Sequence, residues 1–110
     1  MKKVISVVGT RPEFIRVAAL VPHLEKSFKH IVVHTGQHHD VLMSKIFFEE
    51  FHLTDPAYVL GVGSGTHGEQ TAKILTRCEQ VFIGEKPDLV IVDGDTNSTL
   101  AGAIAASKLM

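Results

Sequence analysis

The chain has no tryptophan, one tyrosine and a single cysteine in 110 residues, and its 11 Lys and Arg against 12 Asp and Glu leave a formal charge of −1. Each shortage excludes something. Cys78 cannot close an internal disulfide, and no Cys/His cluster has the ordinary spacing of a zinc site, so a reducing, cytoplasmic setting is expected. The missing basic surplus argues against nucleic acid as a partner, because a phosphate backbone is held by excess Lys and Arg. No apolar run approaches the length of a membrane span, so no membrane partner is expected. Met1-Lys2-Lys3 ahead of apolar residues has the beginning of a leader, but the run stops at Val8, with Arg11 and Glu13 close behind. Repeats, low-complexity tracts and interdomain linkers are also missing.

What is present is a hydrophobic content of 45%, enough for one small core, hence one domain or a piece of one. Short β-branched runs alternate with longer segments of helical period, the pattern of strand-helix-strand units on a parallel sheet. Strands are predicted at residues 4–8, 30–35, 58–60 and 89–92. Phe14, Ile15, Val17, Ala18, Leu20, Val21, Leu24 and Phe28 form an apolar stripe on a first helix, which Pro12 can open and Pro22 should kink or divide. A second helix is predicted over 41–51, with Ile46, Phe47 and Phe51 inward. Thr66 and Glu69 have capping-box spacing for a third helix reaching about Ile83, and Lys86-Pro87-Asp88 reads as a turn. Asp93-Gly94-Asp95-Thr96 opens the last helix, which ends in the apolar 101–110 segment without a glycine cap. With the fourth strand at an unpaired sheet edge, self-association is expected.

Function is written at the strand ends. The first and fourth strands both run into Gly plus polar residues, and in a 3-2-1-4 sheet those ends meet at the topological switch point. Thr10, Arg11 and Glu13 then oppose Asp95, Thr96 and Asn97 across one crevice into which two helix N-termini point, a place for phosphate or carboxylate. Duller readings stand beside this one. Arg11 fits a surface ion pair with Glu13 or Asp95, and Asp95 fits a plain helix cap. The Gly61-Val62-Gly63-Ser64-Gly65 loop lacks the Gly-Lys-Ser/Thr ending of a phosphate-binding loop and reads better as a flexible connector. His34, His38 and His39 have only Asp40 as a neighbouring carboxylate, so no metal site is expected. Cys78, between Arg77 and Glu79 in mid-helix, reads as an inert thiol.

Gly9-Thr10-Arg11-Pro12-Glu13, Thr35-Gly36-Gln37-His38 and Asp93-Gly94-Asp95-Thr96, each after a strand and in this order, resemble the non-hydrolysing UDP-N-acetylglucosamine 2-epimerases. Gly65-Thr66-His67-Gly68-Glu69-Gln70 is similar to the variant in archaeal-type members. The resemblance covers the whole chain. It implies an α/β fold: a Rossmann-like three-layer αβα arrangement with a mostly parallel sheet, the N-terminal domain of a GT-B-like fold. Residues 1–110 would be a partial, truncated N-terminal domain, with the second, UDP-binding domain absent and the next strand, carrying a Val-Glu-Ala-Gly signature, beyond Met110.

The reaction so implied interconverts UDP-N-acetylglucosamine and UDP-N-acetylmannosamine by elimination and re-addition of UDP, with neither metal nor nicotinamide cofactor. Arg11 and Arg16 would be substrate-contacting cations beside Thr10, Glu13 and Thr96, and Asp95 an active-site carboxylate. Gln37 and His38 match a region that binds a second UDP-N-acetylglucosamine as activator in bacterial members. Arg16 stands where the family usually has Lys, Ala19 replaces a common Pro, and Asp40 lies where bacterial forms offer Gln. A cytoplasmic homodimer serving polysaccharide biosynthesis is implied for the full-length protein. Rival readings are a hydrolysing epimerase, half of a GT-B glycosyltransferase, or a non-catalytic nucleotide-sugar-binding module.

Overall fold

The computed structural model of the chain describes residues 1–50 and 55–110, leaving aside the side chains of residues 44, 47 and 48. Its elements are β1 (Lys2–Val8), α1 (Arg11–Leu24), β2 (Phe28–His34), α2 (His38–Glu50), β3 (Tyr58–Val59), α3 (His67–Glu85), β4 (Leu89–Val92) and α4 (Asn97–Leu109). The strands form one parallel sheet in the order β3-β2-β1-β4, so β1 is central and the chain reverses direction of growth between β1 and β4.

β1 is apolar on both faces because both are covered, as expected of a parallel strand between helix layers. Ile5 and Val7 join Ile31, Val33, Ile74, Cys78, Phe82 and Ala101 under α3 and α4, whereas Val8 packs with Phe14 and Val17 under α1. The result is the three-layer αβα, Rossmann-like arrangement.

Several local expectations are corrected. α1 runs through Pro22 undivided, because the proline lies near the helix end and the following turn still closes, Glu25 N–H reaching the Val21 carbonyl at 3.0 Å. Phe28 belongs to β2 rather than to α1. Ile46 is exposed, as are Leu42 and Met43, because α2 lies at the margin of its layer; the Phe47 side chain and Phe51 fall outside the described residues. Thr66 caps α3 by accepting from Glu69 N–H at 3.1 Å, but its hydroxyl takes up the Glu69 carboxylate at 3.0 Å, so the reciprocal half of the box does not form. α3 continues to Glu85 and stops where Lys86 turns left-handed, ahead of Pro87. The cap of α4 is Thr96, not Asp95.

Candidate functional site

The four helices of the described residues begin at the C-terminal edge of the sheet, so their positive N-terminal ends gather there. The β1–α1 turn and the β4–α4 turn are joined by one carboxylate. Glu13, 1% exposed, accepts through Oε1 from the N–H groups of Gly9 at 2.9 Å and Thr10 at 3.0 Å. Through Oε2 it accepts from the hydroxyls of Thr96 at 2.7 Å and Thr99 at 3.1 Å. The Thr10–Glu13 spacing that starts a helix therefore also fastens that helix to another 83 positions along the chain. Among the described residues, the donors that Glu13 meets are backbone and hydroxyl groups of the chain itself, which makes it a buried tie between the walls.

Two glycines permit this closeness. A Cβ at Gly9 would lie 2.3 Å from Ser98 Oγ and 2.6 Å from Thr35 Oγ1, which are themselves hydrogen-bonded at 2.9 Å. Gly94 has φ +93 and sits against the Arg16 guanidinium and the Glu13 carboxylate, a conformation open to glycine and strained for other residues.

Between the strand ends and the helix mouths is a cleft of about 510 Å³. Thr10 and Arg11 line one side, Thr96 and Asn97 the side towards α4, and Gln37 and Asp40 the mouth of α2. Of the residues that the sequence places at this crevice or matches to the activator region, Thr10, Arg11, Thr96, Asn97 and Gln37 reach this cleft. Glu13 is sealed between its walls, and His38 is outside the lining although its neighbours Gln37 and His39 are in it. Arg16 and the exposed Asp95 also lie outside it, beside the Gly94 turn. There Arg16 Nε donates to Asp93, and that hydrogen bond holds the guanidinium above its ordinary pKa against partial desolvation, with the charges of Asp93, Glu13 and Asp95 adding to it.

The glycine-rich segment is not a loose connector. Gly61 N–H reaches the Gly36 carbonyl and Val62 N–H the Thr35 carbonyl, both at 2.9 Å, and Gln70 Nε2 holds the Gly63 carbonyl at 3.2 Å. Val62, Gly63 and Ser64 so become a third side of the cleft. Gln70 in turn accepts from Asn97 Nδ2 at 2.7 Å, linking that side to α4. Sequence reasoning passed over Gln70, Thr35, Ser98 and His34 as cleft residues; the readable signal was the repeated glycine immediately after β3, where an αβ unit places its ligand loop. Among the described residues, no three His, Cys, Asp or Glu side chains are gathered as a metal ion would need.

The sequence model of the UDP-N-acetylglucosamine 2-epimerase family matches residues 22–110. The chain belongs to that family. It is 53% identical over 104 residues to the UDP-N-acetylglucosamine 2-epimerase of Methanocaldococcus jannaschii, a match covering 94% of this chain and 28% of the relative. A UDP-N-acetylglucosamine 2-epimerase homolog of Methanococcus maripaludis is 50% identical over 107 residues, covering 97% of this chain and 30% of the relative. The UDP-2,3-diacetamido-2,3-dideoxy-D-glucuronate 2-epimerase of Pseudomonas aeruginosa is 47% identical, with 97% and 31% covered. In three dimensions the M. jannaschii UDP-GlcNAc 2-epimerase in complex with UDP-GlcNAc and UDP superposes with a TM-score of 0.87 at 53% identity, over 99% of this chain and 30% of that one. This epimerase-family chain thus spans about 30% of the length of the relatives it matches.

Proposed function

We propose that the chain forms one wall of the nucleotide-sugar site of a UDP-N-acetylglucosamine 2-epimerase. The observation that carries this is the pairing of Thr10 and Arg11 with Thr96 and Asn97 on one cleft at the β1 and β4 ends, where two helix N-termini and a guanidinium favour a diphosphate. In this reading Arg11 takes the diphosphate inside the cleft, and the sugar reaches out past the Gly94 turn to Asp95, which lies outside the cleft beside Arg16. Elimination removes the C2 proton and breaks the C1–O bond, so UDP leaves and a 2-acetamidoglucal remains. Re-addition forms the C1–O bond again as the proton returns to the opposite face of C2. Fixed positive charge at the departing diphosphate and a carboxylate at the sugar act in both directions. Glu13 holds the two walls in register, and Gln37 with His38 would serve a second, activating nucleotide sugar.

Calorimetry with UDP and UDP-N-acetylglucosamine tests the reading. Both should bind, and Arg11→Ala should weaken each by about tenfold or more, the size of a lost charge-assisted hydrogen bond. Absence of binding by either ligand overturns it. The 47% identity to the Pseudomonas diacetamido-glucuronate epimerase favours a second substrate, and tighter binding of that uronate in the same experiment would reassign the sugar. A homodimer fits the exposed Leu42, Met43 and Ile46 of α2, and sedimentation of wild type against Ile46→Glu checks it.

A further inference from the structure

His34 ends β2 at the point where the chain enters the cleft, lines that cleft, and is 4% exposed. Its Nδ1 lies 3.0 Å from the Gly36 nitrogen. A peptide N–H only donates, so Nδ1 must carry the lone pair and the ring proton must sit on Nε2. Among the described residues nothing takes that second N–H, yet no buried side-chain nitrogen or oxygen is left without a partner, so Nε2 is open to the cleft rather than sealed. The geometry is enforced by residue 36. A Cβ there would stand 2.9 Å from His34 Cε1 and 3.3 Å from Nδ1, so the ring packs against the turn only because Gly36 has no side chain.

The ring is also neutral. Burial lowers its pKa, and the opposing charges of Asp40 from α2 and Glu13 from α1 do not reverse this; Arg11 and His39 line the same cleft. Protonation would have to occur at Nδ1, where the new proton would face the Gly36 N–H and break that bond.

We propose that His34 is a specificity-determining residue, a fixed neutral imidazole that donates one directional hydrogen bond from Nε2 to an oxygen of the bound nucleotide sugar. This rests on the nucleotide-sugar reading of the cleft and adds to it. Arg11 supplies charge, which attracts any anion; His34 supplies a single oriented donor, which rejects a ligand with no acceptor at that place.

Two variants and one spectrum test it. His34→Asn keeps an acceptor where Nδ1 stood and loses the donor at Nε2, so the protein should unfold at an unchanged temperature while binding UDP-N-acetylglucosamine about tenfold more weakly. His34→Gln extends an amide towards the Nε2 position and should recover most of that loss. An equal loss with UDP alone assigns the acceptor to the diphosphate, and a loss confined to UDP-N-acetylglucosamine assigns it to the sugar. In the wild-type protein, long-range proton–nitrogen NMR should show the Nε2–H tautomer, with its proton resonance moving on saturation with UDP-N-acetylglucosamine. An Nδ1–H or doubly protonated ring at neutral pH overturns the inference. So does a His34 resonance that stays still while the Gly9 and Thr96 amides move, an outcome that leaves the nucleotide-sugar reading intact. If no cleft amide moves at all, both fail.

Discussion

Glu13 Oε2 accepts the hydroxyl proton of Thr96 at 2.7 Å, and through this contact the first turn of α1 and the first turn of α4 share one buried carboxylate. That carboxylate holds Thr10 and Thr96, which both line the cleft, at a fixed spacing.

Replacing Glu13 should therefore loosen both sides at once. Glu13→Ala removes the acceptor of the part-buried N–H groups of Gly9 and Thr10 and opens a void at a buried side chain, and losing such acceptors costs about 1–3 kcal/mol apiece before relaxation. Urea unfolding should show a loss of about 2–4 kcal/mol in total. A variant as stable as wild type would mean that the tie contributes nothing.

The two glycines make separate demands. Gly94→Ala keeps all contacts but places a side chain at φ +93, and should cost about 1–2 kcal/mol by the same unfolding assay. Gly9→Ala drives a methyl into Ser98 Oγ and should cost more, with part of the loss recovered when Ser98→Ala is added. The Thr35 hydroxyl, 2.6 Å from the same Cβ, keeps the rest of the clash, and if neither Ser98→Ala nor Thr35→Ala recovers any stability, the close approach is not the cause.

Much of this frame was legible from residue order. The apolar run 89–92 is β4, and the 3-2-1-4 order supposed by analogy with doubly wound sheets is the order found, so the glycine and polar residues that close β1 and β4 do meet at the switch point. Where reading failed, two residues of similar chemistry competed or burial decided. Asp95 and Thr96 are both good helix caps; the positive φ of Gly94 sets the register one residue later, leaving Asp95 exposed. Ile46 has the right spacing for a core face, but α2 covers the sheet margin, and periodicity carries no information about which layer lies opposite. His34 reads as an ordinary strand residue, because its meaning depends on where the Gly36 amide points.

Cys78 is fully buried on the inner face of α3, and burial pushes its thiol pKa up to about 12. The native protein should resist iodoacetamide at about pH 8 and react once unfolded, because the thiolate is the nucleophile and the core excludes both it and the reagent. Mass spectrometry of the native protein showing rapid single alkylation would contradict this.

Acid should destabilise the fold in two steps. His30, bonded to Ser6 Oγ at 2.7 Å, and His34 both have pKa values lowered from 6.5, chiefly by burial, with Glu25 opposing at His30 and Asp40 and Glu13 opposing at His34. Below that ordinary value the unfolded chain binds protons that the folded chain refuses, so their contribution is complete above about pH 6.5 and is lost as pH falls through the lowered values. Glu85 is held below its usual 4.5 by hydrogen bonds from Lys3 and then Tyr58, so a second loss should begin near that pH. Thermal unfolding followed across pH should fall in this order; a midpoint that stays constant between pH 7 and 5 would remove the histidine argument.

Epimerisation at C2 requires proton transfer on both faces of the sugar, one to take the proton and one to return it. The residues of this chain that we assign to the reaction, Arg11, Arg16 and Asp95, all come from the β1–α1 and β4–α4 side, and the chain spans about 30% of the length of its relatives. By itself it should therefore bind the nucleotide sugar without turning it over. Incubation with UDP-N-acetylglucosamine in deuterium oxide separates binding from chemistry, because reversible elimination exchanges the C2 proton with solvent even when little product accumulates. The expected result is undiminished protium at C2 together with measurable binding. Deuterium appearing at C2 would show that this side alone supplies the proton transfer, and the view that the chain binds the nucleotide sugar without turning it over would have to be abandoned.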